Sequence, residues 1–358
     1  MSGSSSDHGT NGASRAGSAL GAGLDLEQLG GQEPGGTTSP KMLIPLFLVP
    51  LLIVGVVIAI FLTIGSVVGS EKTVSEWIGE VESGGVNGRW QAAAHLTDLA
   101  RRDAHVFEDP KLRARLRDLF RTAGPSDTRL RQWLATMWGL TRDGEAEPMM
   151  LEGLARTREV LDGPGGRSSA ETEPASTELI QYVMALGLVG SSTSTHVVVG
   201  LAKDPDPGIR KVVAEALGQA GRKLITSGSK IETEVVTTLV SLHGDDDAWV
   251  RMNAALSLAK CGRVEGVPTL EAMLDRAWLK SQHLSFPDDG RYSVNNFDPA
   301  AEPIVAALIA IEWLHAPATG NAVAVADAAL RDAVANAAKD GNQEVQQRAK
   351  ALLAKIGG

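Results

Sequence analysis

A single cysteine, Cys261, occurs in 358 residues, so the chain holds no internal disulfide and no multi-cysteine zinc site. Histidine is sparse too. His8, His95, His105, His196, His243, His283 and His315 stand singly. None has a His-x-x-x-His or His-Glu-x-x-His spacing, so no helix can turn two imidazoles toward one metal ion. Positive charge is also short. Thirty-four Lys and Arg face 43 Asp and Glu, for a net charge of −9. A surface of that sign repels phosphate backbones, and nucleic acid is not an expected partner. No GxSxG, no GxxxxGK(S/T) and no strand followed by GxGxxG appears. No catalytic residue, cofactor, metal or small-molecule substrate is therefore expected. Aromatics make up 4% of the chain, with two tyrosines. No long run alternates at period two, as half-buried strands would.

One stretch lacks charge altogether. Residues 42–69, MLIPLFLVPLLIVGVVIAIFLTIGSVVG, run between Lys41 and the Glu71–Lys72 pair without an ionisable side chain. At about 1.5 Å per residue such a helix outreaches a hydrocarbon core of about 30 Å. The run is too long and too far from the start for a secretory signal, whose apolar core spans about 7 to 15 residues. We read residues 42–69 as a single transmembrane helix in contact with lipid. Pro45 and Pro50 bend it or delay its regular start to about Leu51. The Lys and Arg count near the two ends is almost balanced. As a signal anchor the span would leave the repeat domain on the extracytoplasmic side of the cell (inner) membrane.

Residues 1–41 carry Gly/Ser/Thr runs such as SGSSS and GGQEPGG and few large apolar groups. They cannot bury enough surface to offset the entropy of ordering, and a disordered tail is expected. Beyond Thr73 alanine and leucine dominate, and Gly, Pro and Asp clusters punctuate helical patterns every 15–25 residues or so.

Those segments repeat. DPDPGIRKVVAEALGQAG (204–221) aligns with DDDAWVRMNAALSLAKCG (245–262), pairing Ile209 with Val250, Arg210 with Arg251, Leu217 with Leu258 and Gly221 with Gly262. GNQEVQQRAKALLAKIG (341–357) repeats Val345, Ala349, Leu353 and Gly357 in the same places. Fainter copies lie at 176–190, 127–140 and 88–102. In the two clearest copies an Asp-rich entry is followed by an apolar–Arg pair (Ile209-Arg210, Val250-Arg251), then small residues, then Gly. This pattern resembles the HEAT repeat, in its short alanine-rich bacterial form called phycobilisome-lyase-like. The resemblance covers residues 73–358. It implies an all-α fold, an α-solenoid of seven HEAT-like helix pairs. The helices are expected at 73–82 with 88–102, 110–122 with 127–142, 146–161 with 175–189, and 194–203 with 207–220. Then follow 232–243 with 247–261, 265–281 with 298–315, and 321–339 with 342–356. Asp should cap the second helix of a pair, and the terminal Gly should take the left-handed C′ conformation.

The tryptophans at 90, 133, 138, 249, 278 and 313 fall in these helices and are expected in the core, while Trp77 suits a lipid interface. Cys261 is expected as a buried small hydrophobe. The arginines between 101 and 121 alternate with acids, as a solvated mixed face does. Residues 162–176 read as a flexible insert. The connection 281–299 is the candidate partner-binding loop, with Phe286, Tyr292 and Phe297 beside His283, Arg291, Asn295 and Asn296. Rigid aromatics next to hydrogen-bonding groups suit a contact surface, though the same rings also suit pinning the loop to its own domain.

The expected function is a non-enzymatic, membrane-anchored scaffold that binds protein partners within a membrane complex. The phycobilisome-lyase side of the resemblance implies a second reading, a cofactor- or pigment-handling enzyme or its accessory subunit. The chain supplies no nucleophile for it.

Overall fold

A computed structural model describes residues 54, 56, 58, 72–124, 127–163, 173–227, 231–282, 284, 298–315 and 328–356. The chain divides into two units, Met1–Glu71 and Lys72–Gly358. In the first unit Val54, Val56 and Ile58 are described, as helical residues with about half of each side chain exposed. The expected tail and the rest of the apolar run lie outside the described residues. Among the described residues no helix is long and apolar enough to cross a membrane.

The second unit is all-α, with no strand among the described residues. Its helices form two rows. The first row holds α1 (Val74–Ser83), α3 (Pro110–Thr122), α5 (Glu147–Leu161), α7 (Ser192–Gly200), α9 (Glu232–His243), α11 (Val267–Met273) and α14 (Ala328–Ala337). The second row holds α2 (Val86–Arg102), α4 (Thr128–Thr141), α6 (Glu173–Val189), α8 (Pro207–Ser227), α10 (Ala248–Lys260), α13 (Ala301–His315) and α15 (Gln343–Ile356). The short α12 (Arg276–Ser281) follows α11. Each first-row helix packs on the second-row helix that follows it, and every second-row helix packs on the next.

The apolar pattern accounts for this arrangement. A second-row helix must cover two neighbours, so it carries apolar residues on two faces. On α10, Val250, Ala254 and Leu258 join the core that runs back to Ile78. Met252, Ala255 and Ala259 of the same helix join the core that runs on to Ile356. Full burial of one Val, Leu or Ile contributes about 1.5–3 kcal/mol. Helix α15 turns Val345, Ala349, Leu352 and Ile356 inward and leaves Glu344, Gln347, Arg348 and Lys350 exposed.

Asp caps some of the second-row helices as expected, and Asn takes that place on the last. Asp247 accepts from the Val250 amide at 3.0 Å, and Asn342 accepts from the Glu344 amide at 3.0 Å. Asp127 makes no side-chain cap hydrogen bond; its carboxylate pairs with Arg89 at 2.8 Å. Gly190 and Gly262 take φ of 59° and 67°, the left-handed C′ geometry. Gly221 departs from expectation. Helix α8 continues through it to Ser227. A Cβ there would sit 2.6 Å from Cys261 Sγ, so this glycine makes room for a neighbour instead of ending a helix. Cys261 is buried, and burial pushes its thiol up to about 12, which keeps it protonated and inert at neutral pH.

The expected single helix 265–281 is two helices. Asp275 caps the second by accepting from the Ala277 amide at 2.8 Å, and that break turns Arg276 toward Asp298 and Asp340. Two turns of 3₁₀ helix, Ala104–Phe107 and Gly144–Ala146, were not legible either. The tryptophans also depart from expectation. Trp138 is fully buried, but Trp90, Trp133, Trp249, Trp278 and Trp313 keep a face in solvent.

The apolar–Arg pair has a clear division of labour. Ile209 and Val250 are fully buried. The arginine after each braces its own lead-in loop and reaches the next repeat. Arg210 donates to the Asp204 carbonyl at 2.8 Å and grips Asp245 through two bonds of 2.7 and 2.8 Å. Arg251 donates to the Asp245 carbonyl and to Gln282 Oε1, each at 2.8 Å. Arg89 also reaches the next repeat, donating to the Val81 carbonyl near the end of α1 at 2.9 Å and to Asp127 at 2.8 Å. Near the C-terminal end Arg276 grips Asp298 and Asp340, with its shortest bond to each at 2.6 Å.

Hydrogen bonds from Arg276 hold the Asp298 and Asp340 carboxyls below their ordinary 3.8, against the opposing pull of burial. A carboxyl depressed on folding contributes stability above its unfolded value, lost as pH falls through its folded value. Wild type should therefore lose urea resistance steeply below about pH 4. In Arg276→Met the two carboxylates face each other unneutralised, so that acid slope should flatten or reverse. Urea midpoints at neutral pH and in acid would show it. Parallel slopes for the two proteins would refute the assignment.

Candidate interaction groove

Two adjoining cavities lie along the second row, over α2, α4 and α6. One, of about 550 Å³, is lined by Asn87, Trp90, Asp127, Thr128, Arg129, Leu130, Gln132, Glu173, Pro174 and Thr177. The other, of about 340 Å³, is lined by Trp90, Arg101, Arg129, Gln132, Trp133, Thr136 and Gln181. Trp90, Arg129 and Gln132 belong to both.

The floor is cross-braced. Thr97, fully buried, donates to the Ala93 carbonyl at 2.8 Å and to the Trp133 carbonyl at 3.1 Å, tying α2 to α4. Thr136 donates to Gln181 Oε1 at 2.8 Å, tying α4 to α6. Below these, Arg131 grips Glu178 at 2.6 and 3.0 Å, and Tyr182 donates to the same carboxylate at 2.6 Å. Arg131 also donates to the Gly124 carbonyl. A surface pinned this way loses little side-chain freedom when something binds.

The rim is less satisfied. The guanidinium of Arg129 stands over the Trp90 ring, 5.3 Å from its centre. Among the described residues no carboxylate pairs with Arg129. Trp90 Nε1 is buried and donates to nothing among the described residues. Arg101 leans on Asp98 at 3.0 Å, an exposed pair worth about 0–1 kcal/mol.

The chain matches no protein-family model and no curated protein. Solved structures resemble it weakly. An engineered protein is 17% identical with a TM-score of 0.34, over 80% of this chain and 97% of that one. Human deoxyhypusine hydroxylase in complex with glycerol is 15% identical with a TM-score of 0.29, over 82% and 99%. A second engineered protein is 18% identical with a TM-score of 0.34, over 80% and 79%. Likeness at this level carries no statement about function.

The candidate loop residues His283, Phe286, Arg291, Tyr292, Asn295, Asn296 and Phe297 lie outside the described residues. Both feet of that loop are described. Leu284 packs on the C-terminal core, and Asp298 is held by Arg276. The acidic run after His243 divides into structural roles. Asp245 pairs with Arg210, Asp247 caps α10, and His243 Nε2 lies 2.7 Å from Thr269 Oγ1. Burial lowers the His243 pKa. Among the described residues no group of three or more His, Cys, Asp or Glu is placed to hold a metal ion. The arginines near the start of the unit are largely engaged. Arg115 pairs with Glu82, Arg117 with Asp143 and Glu145, and Arg121 with Asp118.

The groove itself was not singled out from the sequence. Its signal is a large aromatic or amide one or two positions beyond a repeat arginine: Trp90 after Arg89, then Gln132 and Trp133 after Arg131. Trp90 and Trp133 are only partly buried, so part of each ring is available to something else.

Proposed function

We propose that this protein is a membrane-anchored scaffold, a HEAT-like α-solenoid of seven helix pairs that holds protein partners at the cell membrane. Residues 42–69 form the single anchor, and the repeat domain lies on the extracytoplasmic side. The support for an anchor is the uncharged run itself, long enough to span and bounded by charge at both ends. The support for a solenoid is the order of packing, each second-row helix against the next, joined by arginines that reach one repeat forward. One observation carries the binding role: a braced groove across three successive helices, with tryptophan, amide and arginine side chains at its rim. Aromatics and Arg are the residue types that dominate protein contact surfaces.

The test uses the full chain in its own cells. A photo-crosslinking residue at Gln132 or Gln181 should give discrete higher-mass adducts, and the same residue at exposed Val240, on a first-row helix, should give none. The protein should sediment with membranes, resist high salt and be released by detergent. A chain lacking 42–69 should stay soluble. Absence of adducts at both groove positions sinks the scaffold reading, and release by salt alone sinks the anchor.

A further inference from the structure

Resting on that scaffold reading, we propose that the groove over α2, α4 and α6 takes an extended, glutamate- or aspartate-bearing segment of the partner protein. Three observations point to such a segment. The chain as a whole is acidic, at −9, yet the smaller cavity is lined by two guanidiniums, Arg129 and the Asp98-paired Arg101, and by no acid. Of the two acids lining the larger cavity, Asp127 is engaged by Arg89 and Glu173 is exposed where α6 begins. Arg129 pairs with no carboxylate among the described residues, and the Trp90 ring beneath holds it in place. A cation pre-positioned on an aromatic face binds a carboxylate with less loss of freedom than a loose one.

The second observation is independent of charge. Trp90 Nε1 is a buried donor without an acceptor, in the wall common to both cavities. A buried N–H left unpaired is costly, and an incoming oxygen acceptor beside Arg129 relieves it with a small ring shift. The third is spacing. Neighbouring packed helices stand about 8–10 Å apart, and an extended chain rises about 3.3 Å per residue. Roughly every third residue of such a segment then meets a new helix. Gln132 on α4 and Gln181 on α6 occupy successive steps. The Oε1 of Gln181 accepts from Thr136, which leaves its NH₂ to donate to a peptide carbonyl of the segment.

The experiment uses the full chain in mild detergent and a fluorescein-labelled nonapeptide with glutamate at every third position. Fluorescence polarisation should show binding. The peptide with glutamine in place of glutamate should bind at least about tenfold more weakly, and so should Arg129→Glu and Arg129→Gln on the wild-type peptide. Trp90→Phe keeps an aromatic face, though a smaller one, but lacks the N–H, and should weaken binding about threefold. Thermal melts check that each variant is folded; Arg129 is exposed, so its substitution leaves the core intact. Equal affinity for the glutamine peptide, or no loss in either Arg129 variant, overturns the proposal, as does the absence of binding. Displacement by glutarate at equal concentration would mean a small dicarboxylate is the occupant. Displacement by phosphatidylglycerol in mixed micelles would mean a lipid headgroup is. Either result overturns a protein segment. In all these cases partner crosslinks at Gln132 or Gln181 would still uphold the scaffold, so the two readings fail separately.

Discussion

Gly187→Ala is expected to destabilise the domain by about 1–3 kcal/mol, although alanine is the better helix former by about 1 kcal/mol. Gly187 lies in α6 where it crosses α8. A Cβ at this position would meet Ala216 Cα and Cβ at 2.6 Å and its carbonyl oxygen at 2.7 Å. The obstacle includes backbone, so no rotamer change relieves it and the helices must separate. Gly187→Val adds two methyl groups to the same clash and should exceed the alanine loss. Gly79, inside α1, has nothing within 4 Å of an added Cβ. Gly79→Ala should therefore raise stability by up to about 1 kcal/mol. The pair separates packing from propensity. Because stability in a stacked array is passed between neighbours, a wedge at Gly187 should also split a single unfolding transition into two, the part before α6 and the part after α8. Urea denaturation followed by far-UV circular dichroism would show both effects. A Gly187→Ala protein as stable as wild type would refute the close crossing.

The same crossing recurs. Gly139 of α4 meets Ala185 of α6, where a Cβ would stand 2.7 Å from the Ala185 Cα. Gly218 of α8 meets the Ser257 side chain of α10. Sequence alone marks these glycines as part of a small-residue run but gives no reason for glycine over alanine. The reason is the distance between helix axes, which only the packed neighbour sets. Gly221 shows the opposite confusion. It aligns with Gly262, which does take positive φ, yet it lies inside a helix that runs on to Ser227. Two glycines in one aligned column thus serve different ends, one a turn and the other an approach.

Helix limits were legible where a punctuating residue stood at an end: Pro110–Thr122 starts at a proline, Glu232–His243 ends before Gly244, and both fall at the expected residues. They were not legible where a local side chain overrode periodicity, as Asp275 does when it starts a new helix inside an apolar pattern. The binding surface was the least legible part. Trp138 is core and Trp133, five residues earlier, is groove. Both are tryptophans on one helix, and only the register against α2 and α6 tells them apart. The aromatic loop drew attention because its composition is unusual. The groove did not, because its residues come from three helices some forty residues apart.

Glu178→Leu is expected to cost about 3–5 kcal/mol, more than any surface ion pair in the domain. Arg131 and Glu178 are 7% and 5% exposed, and Tyr182 is fully buried. The carboxylate accepts from both, so its removal leaves a buried guanidinium and a buried phenol without their acceptor. Burial and the neighbouring carboxylate push the Tyr182 pKa up, so the phenol stays protonated and its hydroxyl remains a donor in need. Gly153 belongs to the same site. A Cβ there would stand 2.5 Å from the Tyr182 ring, so the ring cannot swing toward α5 in search of another partner. Arg115 and Glu82 form an equally short pair at 2.7 Å, but both are more than a third exposed. Glu82→Ala should cost about 1 kcal/mol or less. Removing both members of the buried pair, as Arg131→Met with Glu178→Leu, should recover much of the single-mutant loss, because no lone charge is left in the core. The coupling energy from the four urea curves measures the pair directly. Additive losses, with the double variant falling by the sum of the singles, would mean the two side chains act independently, contrary to their two hydrogen bonds. The outcome also bears on the groove. Thr177 and Gln181 flank Glu178 on α6 and line the two cavities, so a helix α6 that slides when Glu178 is lost should lose the bound peptide as well.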